Sequence, residues 1–169
     1  MKQTKWFDRQ FPIIHDNGLL PSIIERLEGT GARMFSKVQA IDFNHARENK
    51  DRWSINKEIG HLLDLEPLWL ERANQILNNN PTLATADLTN KKTNDANHDD
   101  RNAMDLVTEF SKIRQRFVAL LRNAKDADLE KSSVHPRLGT TMKLVDLAYF
   151  VAEHDDHHLA KISFLSQPV

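Results

Sequence analysis

The sequence predicts an all-α fold, a four-helix bundle with long connections, and three observations support that class. Four segments of roughly 20 residues carry apolar side chains at the spacing of an amphipathic helix. Five Gly, six Pro and one Tyr, without evenly spaced turn signals, disfavour a sheet. A length of 169 residues suits one core, so we assign residues 1–169 to a single bundle domain.

The first helix is predicted from about residue 19 to residue 38, with Asp16 or Asn17 as its cap. Gly29 and Gly31 lie inside it, where each weakens a helix by about 1 kcal/mol against Ala. These glycines indicate a bend or the close approach of another helix. The apolar residues at helical spacing are Leu20, Ile23, Ile24, Leu27, Met34, Phe35 and Val38.

The second helix is predicted to begin after the N-cap Ser54 and to continue to about Leu77. Pro67 lies in its interior, where proline removes a backbone hydrogen bond and predicts a kink. The following residues, 78–100, are polar and lack aromatic side chains. A loop of that length in a compact domain is more often functional than a simple connection.

Two further helices complete the predicted bundle. The third runs from about residue 101 to residue 122 and is followed by a loop over residues 132–141. The fourth is predicted to start at Thr140 or Thr141 and to end near Leu165.

Composition restricts the possible partners and ligands. The net charge is −1 with neutral histidines, which argues against strong nucleic-acid binding. No apolar run approaches the length of a membrane helix and the first residues do not resemble a secretory signal, so we expect a cytoplasmic protein. The chain has no cysteine, so any metal must be bound by histidines and carboxylates.

Two of the eight histidines lie at the centre of the apolar face of the fourth helix. At about 100° per residue, His154 and His158 lie within about 20° of Leu147, whereas His157 lies on the flank. Buried imidazoles need polar partners, and a metal ion satisfies two that are spaced by four residues. The alternative, core histidines bonded to Tyr149, serine or backbone groups, remains open at this point.

His61 in the second helix is the candidate for a third ligand. It falls within the wide apolar arc of that helix, towards one edge. The other histidines are weaker candidates, because His45 and His98 lie in polar loops and His15 precedes the first helix. His135, in the loop before the last helix, is expected to be solvated.

Known metal motifs match only in part. Asp155 replaces the glutamate that would follow the first histidine of a metalloprotease motif. A di-iron bundle needs two Glu-x-x-His pairs and two more glutamates, and Glu58-x-x-His61 supplies only one pair, so one metal is favoured over two.

Two carboxylates lie on the apolar face of the second helix and are candidate catalytic residues. Glu58 or Glu66 would orient a ligand histidine through its second ring nitrogen or carry a proton. A salt bridge to Arg26, Arg33 or Arg116 is an equally good explanation for a buried glutamate.

The order of these segments resembles the DinB-like superfamily of DNA-damage-inducible and YfiT-like proteins. The resemblance rests on "RWSINKEIGHLLDLEPLWLERA" (residues 52–73) and "HPRLGTTMKLVDLAYFVAEHDDHHLAKI" (residues 135–162), and "DNGLLPSIIERLEGTGARM" (residues 16–34) is similar to the family's first helix. It covers nearly the whole chain in order. It implies a four-helix bundle and a divalent metal ion, often nickel or zinc, bound by His61, His154 and His158.

Three functions are compatible with the residues and with this resemblance. The first is thiol S-transfer to a small-molecule substrate, since some relatives use a low-molecular-weight thiol of the bacillithiol or mycothiol type. The second is hydrolysis by metal-bound water. The third is non-catalytic binding of a metal or ligand. Relatives often form dimers through exposed helix faces, so the resemblance also allows a homodimer.

Overall fold

Four long helices make up most of the part of the chain that the structure describes. The structure is a computed structural model, and it describes residues 3–43 and 53–167. The long helices are α1 (Leu20–Ala40), α2 (Ile55–Leu77), α4 (Ala103–Arg122) and α6 (Leu144–Leu165). The predicted four-helix bundle is therefore confirmed.

Shorter elements join the long helices. They are α3 (Lys91–Asp95), α5 (Asp126–Leu129), β1 (Ser133–Val134), β2 (Thr141–Met142) and 3-10 turns at Trp6–Asp8, Asn17–Leu19 and His98–Asp100. The strands β1 and β2 pair antiparallel.

The arrangement of the helices explains the long connections. α1 packs against α4 and α6, and α2 packs against the same two helices. α1 and α2 therefore occupy diagonal corners of the bundle, although they follow one another in the chain. α4 and α6 occupy the other two corners, and the described residues 123–143 that join them are longer than a turn between neighbouring antiparallel helices.

Capping residues define two of the helix starts. The Ser54 hydroxyl accepts a hydrogen bond from the Lys57 amide at 3.1 Å, which confirms the predicted N-cap of α2. The Asn102 side chain accepts from the Met104 amide at 2.8 Å and starts α4. α2 continues through Pro67 and ends at Leu77, as predicted, and the kink expected at Pro67 stays a prediction.

The predicted start of the last helix is wrong. Thr141 belongs to strand β2, and helix α6 begins three residues later, at Leu144. The Asp146 carboxylate decides this start, because it accepts hydrogen bonds from the Lys143 amide at 2.9 Å and from the distant Ile14 amide at 2.6 Å. The second of these contacts is not visible in the local pattern.

Three other local expectations are also corrected. The loop over residues 132–141 is a short β-hairpin, in which Gly139 adopts a φ of +68° that favours glycine. The polar segment 78–100 contains α3 and a 3-10 turn. Phe35, predicted to face the core, is 44% exposed.

The two glycines of α1 are predicted to respond oppositely to alanine. At Gly29 a Cβ atom meets nothing within 4 Å, so Gly29→Ala should raise the free energy of unfolding by about 0.5–1 kcal/mol. At Gly31 a Cβ would overlap the Ser111 hydroxyl of α4 and lie 3.2 Å from its Cβ, so Gly31→Ala should lower it by about 1–3 kcal/mol. Urea denaturation measures both variants. Equal effects would contradict the close approach of α1 to α4.

Candidate metal centre

Helices α2 and α6 bring the three predicted histidines together. His61 comes from α2, and His154 and His158 come from successive turns of α6. One ring nitrogen of each lies within 4.8 Å of the others, and all three side chains are buried. A spacing of four residues places two imidazoles on the same face of α6, and packing against α2 supplies the third.

The spacing of these nitrogens fits a single metal ion. The Nε2 atoms of His154 and His158 are 3.2 Å apart. Two imidazole nitrogens bound to one zinc ion at ordinary bond lengths lie about 2.9–3.4 Å apart, depending on the angle between the bonds. The described residues would therefore hold such an ion without rearranging this pair.

A carboxylate orients His158. Nδ1 of His158 lies 2.5 Å from Oε2 of Glu58, one turn before His61 on α2, and Lys161 lies 3.6 Å from the other Glu58 oxygen. This hydrogen bond assigns the proton to Nδ1, since a carboxylate accepts, and leaves the lone pair of Nε2 directed towards His154. Glu58 thus contacts a candidate ligand histidine through its second ring nitrogen, and its catalytic role stays a prediction.

A hydrogen-bonded chain orients His61 in a similar way. Thr93 of α3 donates from its hydroxyl to Asp64 at 2.9 Å, so at 3.2 Å it accepts from Nδ1 of His61. The lone pair of His61 is therefore on Nε2. Nε2 of His98 donates to the same Asp64 oxygen at 2.9 Å. Thr93, Asp64 and His98 were not predicted to belong to the site. Thr93 and His98 lie in a segment without helical periodicity, and Asp64 is linked to the site through Thr93 and His98.

Burial keeps the triad neutral. Burial lowers the pKa of His61 to about 4, and the positive charge of Lys161 contributes to the shift. Burial lowers the pKa of His154 and of His158 well below the ordinary histidine value, and the neighbouring histidines add to the effect. Imidazoles bind metals in their neutral form, so burial keeps these three in the binding form.

All three tryptophans of the chain surround the triad. The Trp6 ring lies edge-on to His154 with centroids 4.8 Å apart, and Trp53 lies 4.7 Å from His61. Trp69 lies 5.6 Å from His154. Trp53 directly precedes the N-cap of α2, and Trp69 belongs to α2. Trp6 was missed, because residues before the first helix carry no helical pattern.

Glu66 belongs to a buried ion cluster. Both of its oxygens accept from Arg114, at 2.9 and 2.6 Å. Arg114 also donates to Asp155 at 2.5 and 3.0 Å, and the Thr30 hydroxyl donates to Asp155 at 2.8 Å. A salt bridge, the alternative explanation for a buried glutamate, therefore accounts for Glu66. Its partner is Arg114, which was not among the arginines considered from the sequence. A catalytic role for Glu66 stays a prediction, and this geometry gives it no support.

The remaining histidines differ from expectation in two cases. His135 and His98 are both buried, whereas the sequence indicated solvated loop positions. His98 packs its ring against the bare Cα of Gly60, which admits the ring beside α2. His15 is exposed as expected. His45 lies outside the described residues.

His157 lies beside the triad without joining it. Its ring is 5.3 Å from that of His158 and 5.7 Å from that of Trp6, and its side chain is buried. Burial lowers its pKa to about 4. The sequence placed His157 on the flank of the helix, and its packing agrees with that placement.

The fold and the site define a class, a four-helix bundle with a buried histidine triad between two of its helices. The family model of the DinB superfamily matches residues 23–162. The chain belongs to the DinB superfamily. No curated protein matches the chain significantly.

One solved structure shares this fold over nearly its full length. YfiT from Bacillus subtilis, called a probable metal-dependent hydrolase with an unusual four-helix bundle topology, superimposes with a TM-score of 0.74. The two sequences are 19% identical, and the match covers 94% of this chain and 91% of that one. The likeness supports the diagonal arrangement of α1 and α2.

Among the described residues, no helix is long and apolar enough to cross a membrane.

The ion cluster leads to a stability prediction. Arg114→Met should lower the free energy of unfolding by about 3–5 kcal/mol, because it leaves Glu66 and Asp155 buried without a cation. Urea denaturation at neutral pH measures the change. Arg122→Met is the matched control, since Arg122 pairs with Glu25 and Glu28 in contact with solvent and should cost about 0–1 kcal/mol. Similar losses in both variants would contradict the central role of Arg114.

Proposed function

We propose that this chain is a metal-dependent enzyme that binds one divalent ion through His61, His154 and His158. The observation that carries the proposal is the convergence of three buried, neutral imidazoles. Nδ1 of His158 donates its proton to Glu58, and Nδ1 of His61 donates its proton to Thr93. Such engagement selects the ring nitrogen that can bind a metal.

The residues of the chain would prepare the site before any ion binds. Glu58 and Thr93 hold the rings of His158 and His61, so little side-chain freedom is lost on binding. The three indoles exclude water and strengthen electrostatic interactions inside the site. His61, His154 and His158 would hold the ion, which would supply Lewis-acid chemistry and could lower the pKa of a water molecule. Nickel and zinc are the proposed ions, since both accept imidazole ligands.

We propose hydrolysis of a small molecule as the reaction. Three neutral ligands leave the charge of the ion uncompensated, which suits the polarisation of an ester or amide carbonyl. The name given to YfiT supports the same class of reaction. In this proposal Glu58 is a positioning residue, because its contact is with His158. A small-molecule substrate, no nucleic-acid partner and a homodimer stay expectations from the sequence.

Thiol S-transfer is the second candidate. The chain contains no cysteine, so a thiol nucleophile would have to come from a low-molecular-weight cofactor. A divalent ion held by three neutral imidazoles would have affinity for a thiolate, so the triad is compatible with this reaction as well. The two candidates differ in whether turnover requires an added thiol.

Metal content tests the proposed ligands. Protein purified without an affinity tag should contain about one equivalent of divalent metal by elemental analysis, and His61→Ala and His154→Ala should lose it. His157→Ala is the matched control and should keep the metal, because His157 lies outside the triad. Copper(II) added to metal-free protein should quench tryptophan fluorescence, since all three indoles border the triad. Equal metal content in His154→Ala and wild type would contradict the site.

Turnover with and without thiol tests the reaction. The metal-loaded protein should hydrolyse small activated esters without thiol, and chelation should abolish the activity. Glu58→Gln should lower metal affinity or kcat/KM about 10–100-fold, because it weakens the acceptor for His158. Glu109→Gln, an exposed change on α4, is the control. Activity that appears only with added thiol would contradict hydrolysis and support S-transfer.

A further inference from the structure

A buried arginine without a carboxylate partner lies near the triad. Arg72 of α2 is 1% exposed. Its Nε and Nη2 atoms donate to the Ala84 carbonyl at 2.9 and 2.8 Å, and Nη1 lies 3.1 Å from Nε2 of His135. Of the five N–H groups of a guanidinium, the Ala84 carbonyl accepts from two, one faces His135, and two make no hydrogen bond to the described residues. No ion pair to Arg72 occurs among the described residues, although buried charges are ordinarily paired.

The contact between Arg72 and His135 lacks an acceptor. Nδ1 of His135 accepts from the backbone amides of Arg137 and Leu138, both at 3.2 Å. A neutral His135 then carries its proton on Nε2, which faces the Nη1 donor of Arg72. The other tautomer serves Arg72 but removes the acceptor of the two amides. Either way, donors outnumber acceptors at this contact.

Two more donors nearby are buried without a partner. They are Nη2 of Arg137 and Nε1 of Trp69. The Arg72 guanidinium carbon lies 5.4 Å from the centre of the Trp69 ring, and the Arg137 guanidinium lies 5.3 Å from Phe7. Four residues from α2 and the β-hairpin, namely Trp69, Arg72, His135 and Arg137, thus present unmet hydrogen-bond donors in one region of the molecule.

Positive charge is also in excess around Arg72. Burial lowers the pKa of Arg72 to about 10, and the positive charge of Arg137 lowers it further. The neighbouring Glu71 opposes this effect weakly and is itself exposed. Burial, followed by the charges of Arg72 and Arg137, lowers the pKa of His135 to about 4. Two guanidinium groups in a partly buried region without a bound carboxylate form a site of positive potential.

We propose that Arg72 and Arg137 bind the carboxylate group of a small molecule, with His135 and Trp69 as neighbouring hydrogen-bond donors. A carboxylate offers two oxygens in the plane of a guanidinium fork and accepts charge-assisted hydrogen bonds. It carries a single charge, so its burial costs less than that of a phosphate dianion. The histidine triad is uncharged and would not bind a carboxylate in this way.

The position of the site relates it to the triad. The Trp69 indole contacts the Arg72 guanidinium at 5.4 Å and the His154 ring at 5.6 Å. The Trp69 indole therefore lies between the Arg72 guanidinium and the triad. The anion site itself does not depend on the proposed metal chemistry, because none of its donors belongs to the triad.

Matched pairs of charged and neutral ligands test the site. At constant ionic strength, acetate or benzoate near 100 times its Kd should raise the Tm by about 5 °C, whereas acetamide and benzamide should raise it by less than about 1 °C. Arg137→Gln should weaken carboxylate binding by about 10-fold or more in isothermal titration, because it removes a charged donor. Arg72→Lys keeps the charge and loses the fork, and it should weaken binding similarly.

Controls separate this site from the triad and from general charge effects. Arg122→Gln, which removes an exposed charge elsewhere, should bind carboxylates as the wild type does. The His154→Ala protein and chelated wild type should also retain carboxylate binding, so failure of the metal centre leaves this result intact. Equal stabilisation by amide and carboxylate, unchanged binding in Arg137→Gln, or binding of inorganic phosphate alone would each overturn the assignment.

Discussion

The Arg114 guanidinium holds the four helices in one register. It belongs to α4 and binds Glu66 of α2 and Asp155 of α6, and its Nη1 atom donates to the Leu27 carbonyl of α1 at 3.3 Å. Burial alone would lower the pKa of Arg114, but Asp155 and Glu66 outweigh it and raise the pKa. A buried ion cluster of this kind is satisfied in only one arrangement, because successive residues of a helix point about 100° apart, so a shift in register by one residue removes the charged side chain from its partner.

The histidine triad depends on that register. Asp155 directly follows His154 in α6, and Glu66 lies five residues after His61 in α2. The contacts that place Asp155 and Glu66 on Arg114 therefore also determine how α6 faces α2 at the triad. We infer that the conformational role of the ion cluster exceeds its net contribution to stability, since buried ion pairs often contribute little.

Segments outside the four helices complete the site. Residues 91–100 supply Thr93 and His98, and the segment before α1 supplies Trp6. These additions enclose neutral imidazoles in an apolar, aromatic environment, where the charge of the proposed metal ion would be weakly screened. The donors around Arg72 and His135 lie beside this environment, towards the β-hairpin. The molecule thus combines a neutral histidine triad with a separate region of positive charge around Arg72 and Arg137.

The sequence by itself determined the helices and the identity of the converging histidines. Helical periodicity depends on neighbours three and four residues apart, so it located α1, α2, α4 and the end of α6 closely. The i, i+4 spacing likewise placed His154 and His158 on one face. Only the tertiary structure decided the start of α6, the partner of Glu66, and the burial of His98 and His135. Each of these depends on a hydrogen bond or contact between residues distant in sequence, and no local period records such a contact.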